Sequence, residues 1–357
     1  MLQQTQVKTV IPYWERWMRE LPTIQAAAKA SPAKLHKLWE GLGYYTRVRN
    51  LHEAVQQILA QHEGQFPENF PAILALPGIG RYTAGAICSI AFNQPTPILD
   101  GNIIRFLTRI HGIATDPRMK NTNAKLWQLA ESLVMQGDRL DSAPRRRPEE
   151  AVAGNGSCSA LNQSLMELGA LICTPRSPQC KLCPVNKLCV ARKLNLQERI
   201  PNLGKRKPVT ARRFVAFIVA RDGKFLVRQR PEGVVNAHLW EFPNLEIPAA
   251  EIGARHSAHA NLRQSTDGAQ ETAAPYQLND FLATTAKPLC TIKHSITRYR
   301  ITLEAYRAEL VKPDTKHSGR WLTPLQLHKL AFTSAHKKIL NHLRTPNPVS
   351  ARHSEHL

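Results

Sequence analysis

Apolar residues in the first half of the chain recur at steps of three and four, which is the spacing of an amphipathic helix. In the first stretch these residues are Val7, Val10, Ile11, Trp14 and Met18. The same spacing predicts helices over residues 2–20, 32–41, 49–62, 71–76, 81–92, 102–111, 123–135 and 161–172. Gly, Pro and Ser, with a run of three arginines, interrupt the pattern over residues 137–160, which we interpret as a surface insertion.

Beyond residue 212 the pattern changes to that of strands. Residues 214–220 and 224–228 flank Asp222-Gly223, a pair typical of a tight hairpin turn. Apolar and polar side chains alternate over residues 298–306, which predicts a strand with one buried face. We expect loops over residues 249–280 and a final helix over residues 334–343.

These changes of pattern predict a multidomain protein. Its all-α front domain covers residues 1–191 and its α+β back domain covers residues 213–345. A proline-containing basic segment over residues 192–212 is interpreted as the linker, and residues 346–357 as a disordered tail.

The charge balance narrows the choice of partner. The 357 residues include 48 Lys and Arg against 27 Asp and Glu, a formal net charge of +21. Such a surplus favours a polyanionic partner, because each phosphate that is neutralised releases counterions. The chain has no apolar run near 18 residues, and its first ten residues lack the layout of a secretory signal. We therefore expect a cytoplasmic protein that binds no membrane.

Four of the seven cysteines are crowded into 17 residues. They are Cys173, Cys180, Cys183 and Cys189. In a reducing compartment such a group is typical of a metal site rather than of disulfides. Four thiolates can hold one zinc ion or a 4Fe-4S cluster, and the spacing alone does not choose between them. Cys88, Cys158 and Cys290 are interpreted as structural thiols.

Two segments with paired glycines are candidates for binding. Leu76-Pro77-Gly78-Ile79-Gly80 precedes a helix rich in small residues, and its free N–H groups would suit a phosphate. The ordinary alternative is a turn between helices. The second segment, residues 41–49, carries Tyr44 and Tyr45 beside Arg47 and Arg49. Two adjacent tyrosines are typical of a core, or of a surface that wedges or stacks against bases.

Taken together, these segments resemble the MutY-type adenine DNA glycosylases of the helix-hairpin-helix superfamily. The resemblance covers residues 1 to about 345 and rests on LQQTQV, GLGYYTRVRNL, LPGIGRYTAGAI, ILDGN and the cysteine spacing. It implies a helix-hairpin-helix glycosylase domain with an iron–sulfur cluster loop, followed by a Nudix-like domain that includes LWEFP at residues 239–243. We find no intact Nudix hydrolase signature, so phosphohydrolase activity is not expected.

The resemblance also implies an activity and its partners. A monomer would excise adenine paired with 8-oxoguanine or guanine from double-stranded DNA, and the four cysteines would hold a 4Fe-4S cluster. The protein would work at the nucleoid, with a sliding clamp or mismatch-repair proteins as candidate partners. Other relatives that this reading leaves open are a lesion-binding protein that does not cleave and a different helix-hairpin-helix glycosylase of the thymine-glycol or endonuclease type.

The resemblance assigns residues to the chemistry. Asp100 would stabilise the cation that forms on the sugar, and Asn102 would orient the same site. Without the resemblance, Asp100 would be interpreted as a helix cap. Tyr82 takes the place of the lysine with which some relatives nick the strand, so the glycosylase is expected to be monofunctional.

The resemblance assigns a second set of residues to DNA contact. These residues are Gln4, Thr5, Tyr44, Leu76, Gly78, Gly80, Arg81, Thr297 and Arg298. Arg298 departs from the family's Phe-Ser-His recognition loop, in which a histidine occupies this position, whereas Thr297 keeps the hydroxyl.

A further departure concerns the general acid. In the family, the glutamate that protonates the leaving adenine lies two residues before the position of Met1, and Glu15 and Glu20 are three or more helical turns away. Loss of a general acid lowers rates on the order of a hundred- to ten-thousand-fold. We therefore expect the chain as given to bind better than it cuts, or to have been read from an internal methionine.

Overall fold

The computed structural model describes residues 1–2, 5–142, 157–204, 208–247, 277–278, 281–296, 298–310 and 319–343. The chain forms two compact units, Met1–His52 together with Lys207–Leu357, and Glu53–Arg206. The first unit thus contains the N-terminal helices as well as the sheet. No helix among the described residues is long and apolar enough to cross a membrane.

Helices account for the front of the chain. They are α1 (Val7–Glu20), α2 (Ile24–Lys29), α3 (Pro32–Trp39), α4 (Thr46–Gln61), α5 (Phe70–Leu74), α6 (Arg81–Phe92), α7 (Gly101–Ile110), α8 (Lys120–Ser142), α9 (Ser157–Glu167) and α10 (Val190–Lys193). Four of them begin at a polar cap, since the side chains of Thr23, Ser31, Asn69 and Asp100 each accept a hydrogen bond from the N–H three residues later.

The helices predicted from apolar spacing are present, with shifted ends. The first begins at Val7 rather than at residue 2. Residues 137–142 extend α8, and residues 157–160 open α9, so both ends of the predicted insertion are helical. The run of three arginines within that segment lies outside the described residues.

The second unit is built around α7. One core cluster joins buried residues from α7, α8 and α9 with the segment before α7: Ile98, Leu99, Ile103, Phe106, Leu107, Leu126, Ala130 and Leu165. A π-helical turn at Leu168–Ile172 follows α9. Its Gly169 lies so close to α7 that an added Cβ atom would come within 2.7 Å of the Asn102 side chain. This close approach places the segment before the cysteines directly against the start of α7.

A mixed sheet forms the centre of the first unit. Its described strands are β1 (Thr210–Arg221), β2 (Lys224–Gln229), β3 (Trp240–Glu241), β4 (Asn244–Ile247), β5 (Gln277–Leu278), β6 (Phe281–Ala283), β7 (Cys290–Ile296), β8 (Tyr299–Leu310) and β9 (Gly319–Leu322). The strand order is β3-β2-β1-β8-β6-β5, with β4 paired to β1, β7 to β8 and β9 to β2. β1 and β8 run parallel, from Thr210 beside Tyr299 to Val219 beside Ala308.

The two clearest strand predictions are confirmed. Asp222 and Gly223 both have positive φ, 49° and 69°, and join β1 to an antiparallel β2. In β8, Ile301, Leu303 and Ala305 are buried, and the residues between them are more exposed. The stretch predicted as loops lies mostly outside the described residues.

Two helices, α11 (Pro324–Lys329) and α12 (Ser334–His342), complete the first unit. α12 supplies Ile339 and Leu340 to the core beneath the sheet, together with Ile292 and Leu303. Its His336 is buried and accepts a hydrogen bond from the N–H of Phe242 at 3.1 Å. Burial lowers the pKa of His336 from 6.5 to about 4.

The N-terminal helices join this unit through Glu40, the residue after α3. Its Oε1 atom accepts a hydrogen bond from the N–H of Phe332 at 2.9 Å. Its Oε2 atom lies 2.7 Å from the Lys37 ammonium and 3.2 Å from the Lys337 ammonium. Local sequence patterns did not predict this contact, because Glu40 and Phe332 are 292 residues apart.

Candidate functional site

The glycine-bracketed turn occupies the start of α6. Gly78 has φ of +77°, in the left-handed region that favours glycine. Gly80 is instead extended, with φ of −94°, and forms the N-cap of α6 without a side-chain hydrogen bond. Apart from its two chain neighbours, no atom of the described residues lies within 4 Å of the position that a Cβ atom would take at Gly80. The space beside the N-cap of α6 is therefore open, and the start of a helix is where anions bind.

The residues beside this turn have different surroundings. Leu76 is buried and anchors the turn in the unit. The Arg81 guanidinium lies over the Trp127 ring, 3.9 Å from its centroid. Arg81 is thus held by a cation–π contact at the start of α6.

Asp100 is the N-cap of α7. Its Oδ1 atom accepts hydrogen bonds from the N–H groups of Asn102 at 3.0 Å and Ile103 at 2.8 Å. The side chain is partly exposed, and no further hydrogen bond to it is present among the described residues. The cap role that the residue type alone suggested is therefore present, and it fixes the carboxylate while leaving Oδ2 available to a ligand.

Tyr82 lies close to this carboxylate. Its hydroxyl donates to the Met166 sulfur at 3.6 Å. Burial raises the pKa of Tyr82, and the negative charge of Asp100 raises it further. The phenol therefore keeps its proton at neutral pH.

Arg105, which apolar spacing did not single out, connects Asn102 with the cysteine segment. Its Nη2 atom donates to the Asn102 Oδ1 atom at 2.8 Å and to the Gly169 carbonyl at 2.6 Å. Its Nε atom donates to the Cys173 carbonyl at 2.6 Å. Because Asn102 directly follows the capped start of α7, one guanidinium holds the site residue and the first cysteine in a common network.

Arg109 lies one turn further along α7 and is buried. It donates to the Cys173 sulfur at 3.3 Å, to the Thr174 carbonyl at 2.7 Å and to the Ile200 carbonyl at 2.8 Å. A signal for both arginines was present in the sequence, since residues four apart share one face of a helix.

The four clustered cysteines line a single cavity. Gln197 lines it too, and its buried Oε1 atom has no hydrogen-bond partner within the described part of the chain. Burial raises the pKa of Cys180 and Cys183, and the neighbouring thiols of Cys173 and Cys189 raise both further. Over the described ranges, no group of three or more Cys, His, Asp or Glu side chains is placed to hold one metal ion. The four cysteines thus share one cavity.

The other cysteines are separate from this cavity. Cys88 and Cys158 are buried, and Cys290 is partly buried. Burial raises the pKa of Cys88 and of Cys290, which makes both thiols less reactive.

The tyrosine pair, in the first unit, is divided between surface and core. Tyr44 has φ of +48° and is 58% exposed, whereas Tyr45 is buried. Of the two interpretations of the pair, the core position holds for Tyr45, whose hydroxyl accepts a hydrogen bond from the Gly41 N–H at 3.1 Å. Arg47 donates to the Gly43 carbonyl at 3.2 Å and lies 5.6 Å from the Tyr44 ring centroid. The Tyr44 ring is therefore exposed on a loop that the Arg47 hydrogen bond stabilises.

Arg298 lies at the start of β8, also in the first unit. It donates to the Tyr299 hydroxyl at 3.1 Å, and its guanidinium is 5.1 Å from the centroid of that ring. Arg212 lies 5.2 Å from the same centroid. Hydrogen bonding to Arg298 lowers the pKa of Tyr299. Thr5, half-buried before α1, is described as well, whereas Gln4 and Thr297 lie outside the described residues.

Comparison with protein families gives two matches. Residues 1–132 match the model of the HhH-GPD superfamily base excision DNA repair protein, and residues 214–342 match the NUDIX domain. Rat adenine DNA glycosylase is 33% identical over 387 residues, which cover 95% of this chain and 69% of the rat protein. The human adenine DNA glycosylase is also 33% identical, over 95% of this chain and 66% of the human protein. The chain thus spans about two thirds of these relatives.

Among solved structures, a thermostable thymine-DNA glycosylase is 26% identical with a TM-score of 0.45. The match covers 54% of this chain and 80% of that one.

Proposed function

The chain belongs to the adenine DNA glycosylase family, and we propose that it releases adenine paired with 8-oxoguanine or guanine in double-stranded DNA. Its helical front is a helix-hairpin-helix glycosylase domain, its back is a Nudix-like α+β domain, and it is a hydrolase of base-excision repair. The observation that carries the proposal is the position of the Asp100 carboxylate. One of its oxygens is fixed at the start of α7, and the residue beside it, Tyr82, belongs to the helix that follows the glycine-bracketed turn at residues 76–80.

The carboxylate suits cleavage of a glycosidic bond. The adenine must first leave the base stack, because its sugar cannot be reached inside the duplex. When the bond between C1′ and N9 breaks, both electrons leave with adenine and positive charge develops on the sugar. A carboxylate held near C1′ stabilises that charge, and the positive end of the α7 dipole stabilises the carboxylate. Water then adds to C1′, and adenine takes up a proton.

The surroundings of Asp100 support hydrolysis without strand cleavage. Strand cleavage by a Schiff base requires an amine nucleophile, and the residue beside Asp100 is Tyr82. Its raised pKa keeps the phenol protonated, which leaves water as the group that reacts with the sugar.

The cysteine cavity fits an iron–sulfur cluster. Each thiolate of a 4Fe-4S cluster binds a separate iron, so the four sulfurs surround a space. The four sulfurs of a zinc site instead lie about 2.3 Å from one ion. When bound, the cluster supplies a structural and redox-active centre. Arg109 donates to the Cys173 sulfur, and Arg105 holds the adjoining backbone, so the protein fixes this loop from α7.

Three other features support duplex binding. The α6 start offers N–H groups for a phosphate, the exposed Tyr44 ring can stack on or wedge beside a base, and the net charge is +21. Preference for 8-oxoguanine, action at the nucleoid and docking of a sliding clamp or mismatch-repair protein remain predictions.

The test uses the full chain with its iron content measured. A duplex with adenine opposite 8-oxoguanine is incubated with excess protein, free adenine is quantified by chromatography, and strand breaks are compared before and after alkali. A duplex with adenine opposite thymine is the matched control. We expect adenine release from the first duplex and strand breaks only after alkali. Selective binding without release would identify a non-cleaving lesion-binding protein. The absence of both adenine release and selective binding would refute the proposal.

A further inference from the structure

A groove in the first unit lies between β7 and α12, and the site described above does not use it. Its volume is about 450 Å³, and it is lined by Thr291, Ile292, Lys293, Lys338, Asn341 and His342. Among the described strands, β7 pairs with β8 alone, so the other edge of β7 adjoins the groove. The groove therefore has an extended backbone on one side and the end of a helix on the other.

The groove is rich in hydrogen-bond donors and positive charge. Both Lys293 and Lys338 are exposed, and no carboxylate is among the residues that line the groove. The acid opposite Thr291 on β8 is Glu304, which already accepts from Arg213 at 2.8 Å. Burial, and after it the charge of Lys338, lowers the pKa of His294 on β7. The chemistry of the groove is that of an anion site.

The groove is continuous with the segment that the family resemblance assigns to the oxidised base. Lys293 lies three residues before the end of β7, roughly 10 Å along the strand. The chain then reaches the exposed Arg298, which lies against Tyr299. A duplex that contacts Arg298 can therefore extend along β7 toward the two lysines.

We propose that Lys293 and Lys338 bind the phosphate backbone of the duplex next to the base that the Arg298 turn contacts. This inference rests on the proposed function. The alternative occupant, an acidic peptide that adds a strand to β7, is disfavoured because a lysine on an edge strand opposes such pairing. Phosphate contacts fix the register of a protein on DNA without reading sequence. The groove thus adds affinity and orientation, and the contact with the oxidised base supplies the discrimination.

The experiment measures binding of the full chain to two duplexes over a range of salt concentrations. Both duplexes carry 2′-fluoro-2′-deoxyadenosine, whose sugar resists cation formation, opposite either 8-oxoguanine or thymine. The test variant is Lys293→Gln/Lys338→Gln. The matched control is Lys224→Gln/Lys329→Gln, which removes the same charge from two exposed lysines outside the groove. Melting temperatures of all proteins are measured, because a substitution in α12 can also change the stability of that helix.

We expect the test variant to lower the slope of log Kd against log salt by about 1 per lysine. Its affinity should fall roughly five- to tenfold per lysine at about 0.1 M salt, equally for both duplexes, and the control should match the parent. A parent-like slope in the test variant, with the parent still preferring the 8-oxoguanine duplex, overturns this inference alone. A parent that neither prefers the 8-oxoguanine duplex nor releases adenine from it refutes the proposed function instead. If the test variant loses binding to a polyglutamate peptide that the parent binds, and its DNA binding is unchanged, the groove is assigned to a peptide and the inference is overturned.

Discussion

Replacing Asp100 by asparagine separates the two roles of this carboxylate. Asparagine can still accept the hydrogen bonds from the N–H groups of Asn102 and Ile103, so the cap of α7 is retained. The negative charge is lost. Asp100→Ala removes both the cap and the charge, so the pair of variants distinguishes stability from catalysis.

The expected magnitudes differ enough to be told apart. Two opposite unit charges about 4 Å apart interact by about 4 kcal/mol at an effective dielectric constant of about 20. The loss of that interaction in the transition state corresponds to a rate decrease of about a thousandfold. Loss of the helix-dipole interaction lowers stability by only about 0.3–1 kcal/mol, and loss of the cap by about 1 kcal/mol more. For a unit of this size, each kcal/mol shifts the melting temperature by roughly 2–4 °C.

The assay is single-turnover release of adenine, measured together with thermal denaturation. Asp100→Asn should lose about three orders of magnitude in rate with a small change in melting temperature, and should keep its affinity for the uncleaved duplex. Thr23→Ala is the control, since it removes a comparable cap from α2, where Thr23 accepts from the Ala26 N–H at 3.1 Å. The reasoning is refuted if Asp100→Asn retains more than a tenth of the parent rate, or if Thr23→Ala loses as much.

Three more predictions follow from other contacts. Arg105→Leu should lower stability by about 1–3 kcal/mol and Arg105→Lys by less, because the buried Gly169 carbonyl loses its charged donor and the Cys173 carbonyl keeps only Arg109. An unchanged melting temperature would contradict the network. The pKa of His336 is about 4 in the folded chain and 6.5 in the unfolded chain, so the unfolded chain binds the proton first as pH falls. The free energy of unfolding, measured by denaturant titration, should therefore drop between pH 6.5 and about 4. The drop should be less steep in His336→Asn. Tyr44→Ala should weaken duplex binding by about 1–3 kcal/mol in a filter-binding or anisotropy assay. The melting temperature should stay unchanged, since the Tyr44 ring is largely exposed. An affinity equal to that of the parent protein would show that Tyr44 does not contact the duplex.

Sequence patterns correctly predicted the turns, strands and helices that are determined by neighbouring residues in the chain. The Asp222-Gly223 turn requires positive φ at both residues, and the alternation in β8 follows directly from one buried face. The apolar spacing predicted α6 with its observed ends. Short elements such as α2 and α11 were missed, because six residues carry too little periodicity. The ends of α8 and α9 were obscured by polar residues that continue the helices into the predicted insertion.

The candidate site was predicted where a motif marks it. The four cysteines are distinctive because of their close spacing, whereas Asp100 was assigned through the ILDGN motif of the family resemblance. Arg105 and Arg109 were not distinguished, since an arginine on a helix is most often solvated, and only the fold shows that both are buried. Tyr44 and Tyr45 were treated alike because the sequence does not state that φ of Tyr44 is positive, which turns one ring outward and leaves the other inside.

The position of Asp100 at one end of α7 and of Arg109 at the other has a consequence for inhibition. The two residues are nine positions apart, which corresponds to roughly 14 Å along the helix. A reagent that alkylates or oxidises the partly exposed Cys173 would displace the sulfur and carbonyl that Arg109 and Arg105 hold, and so release the helix that carries the carboxylate. A change at the Cys173 thiol can therefore reach the capped start of α7 through these two arginines.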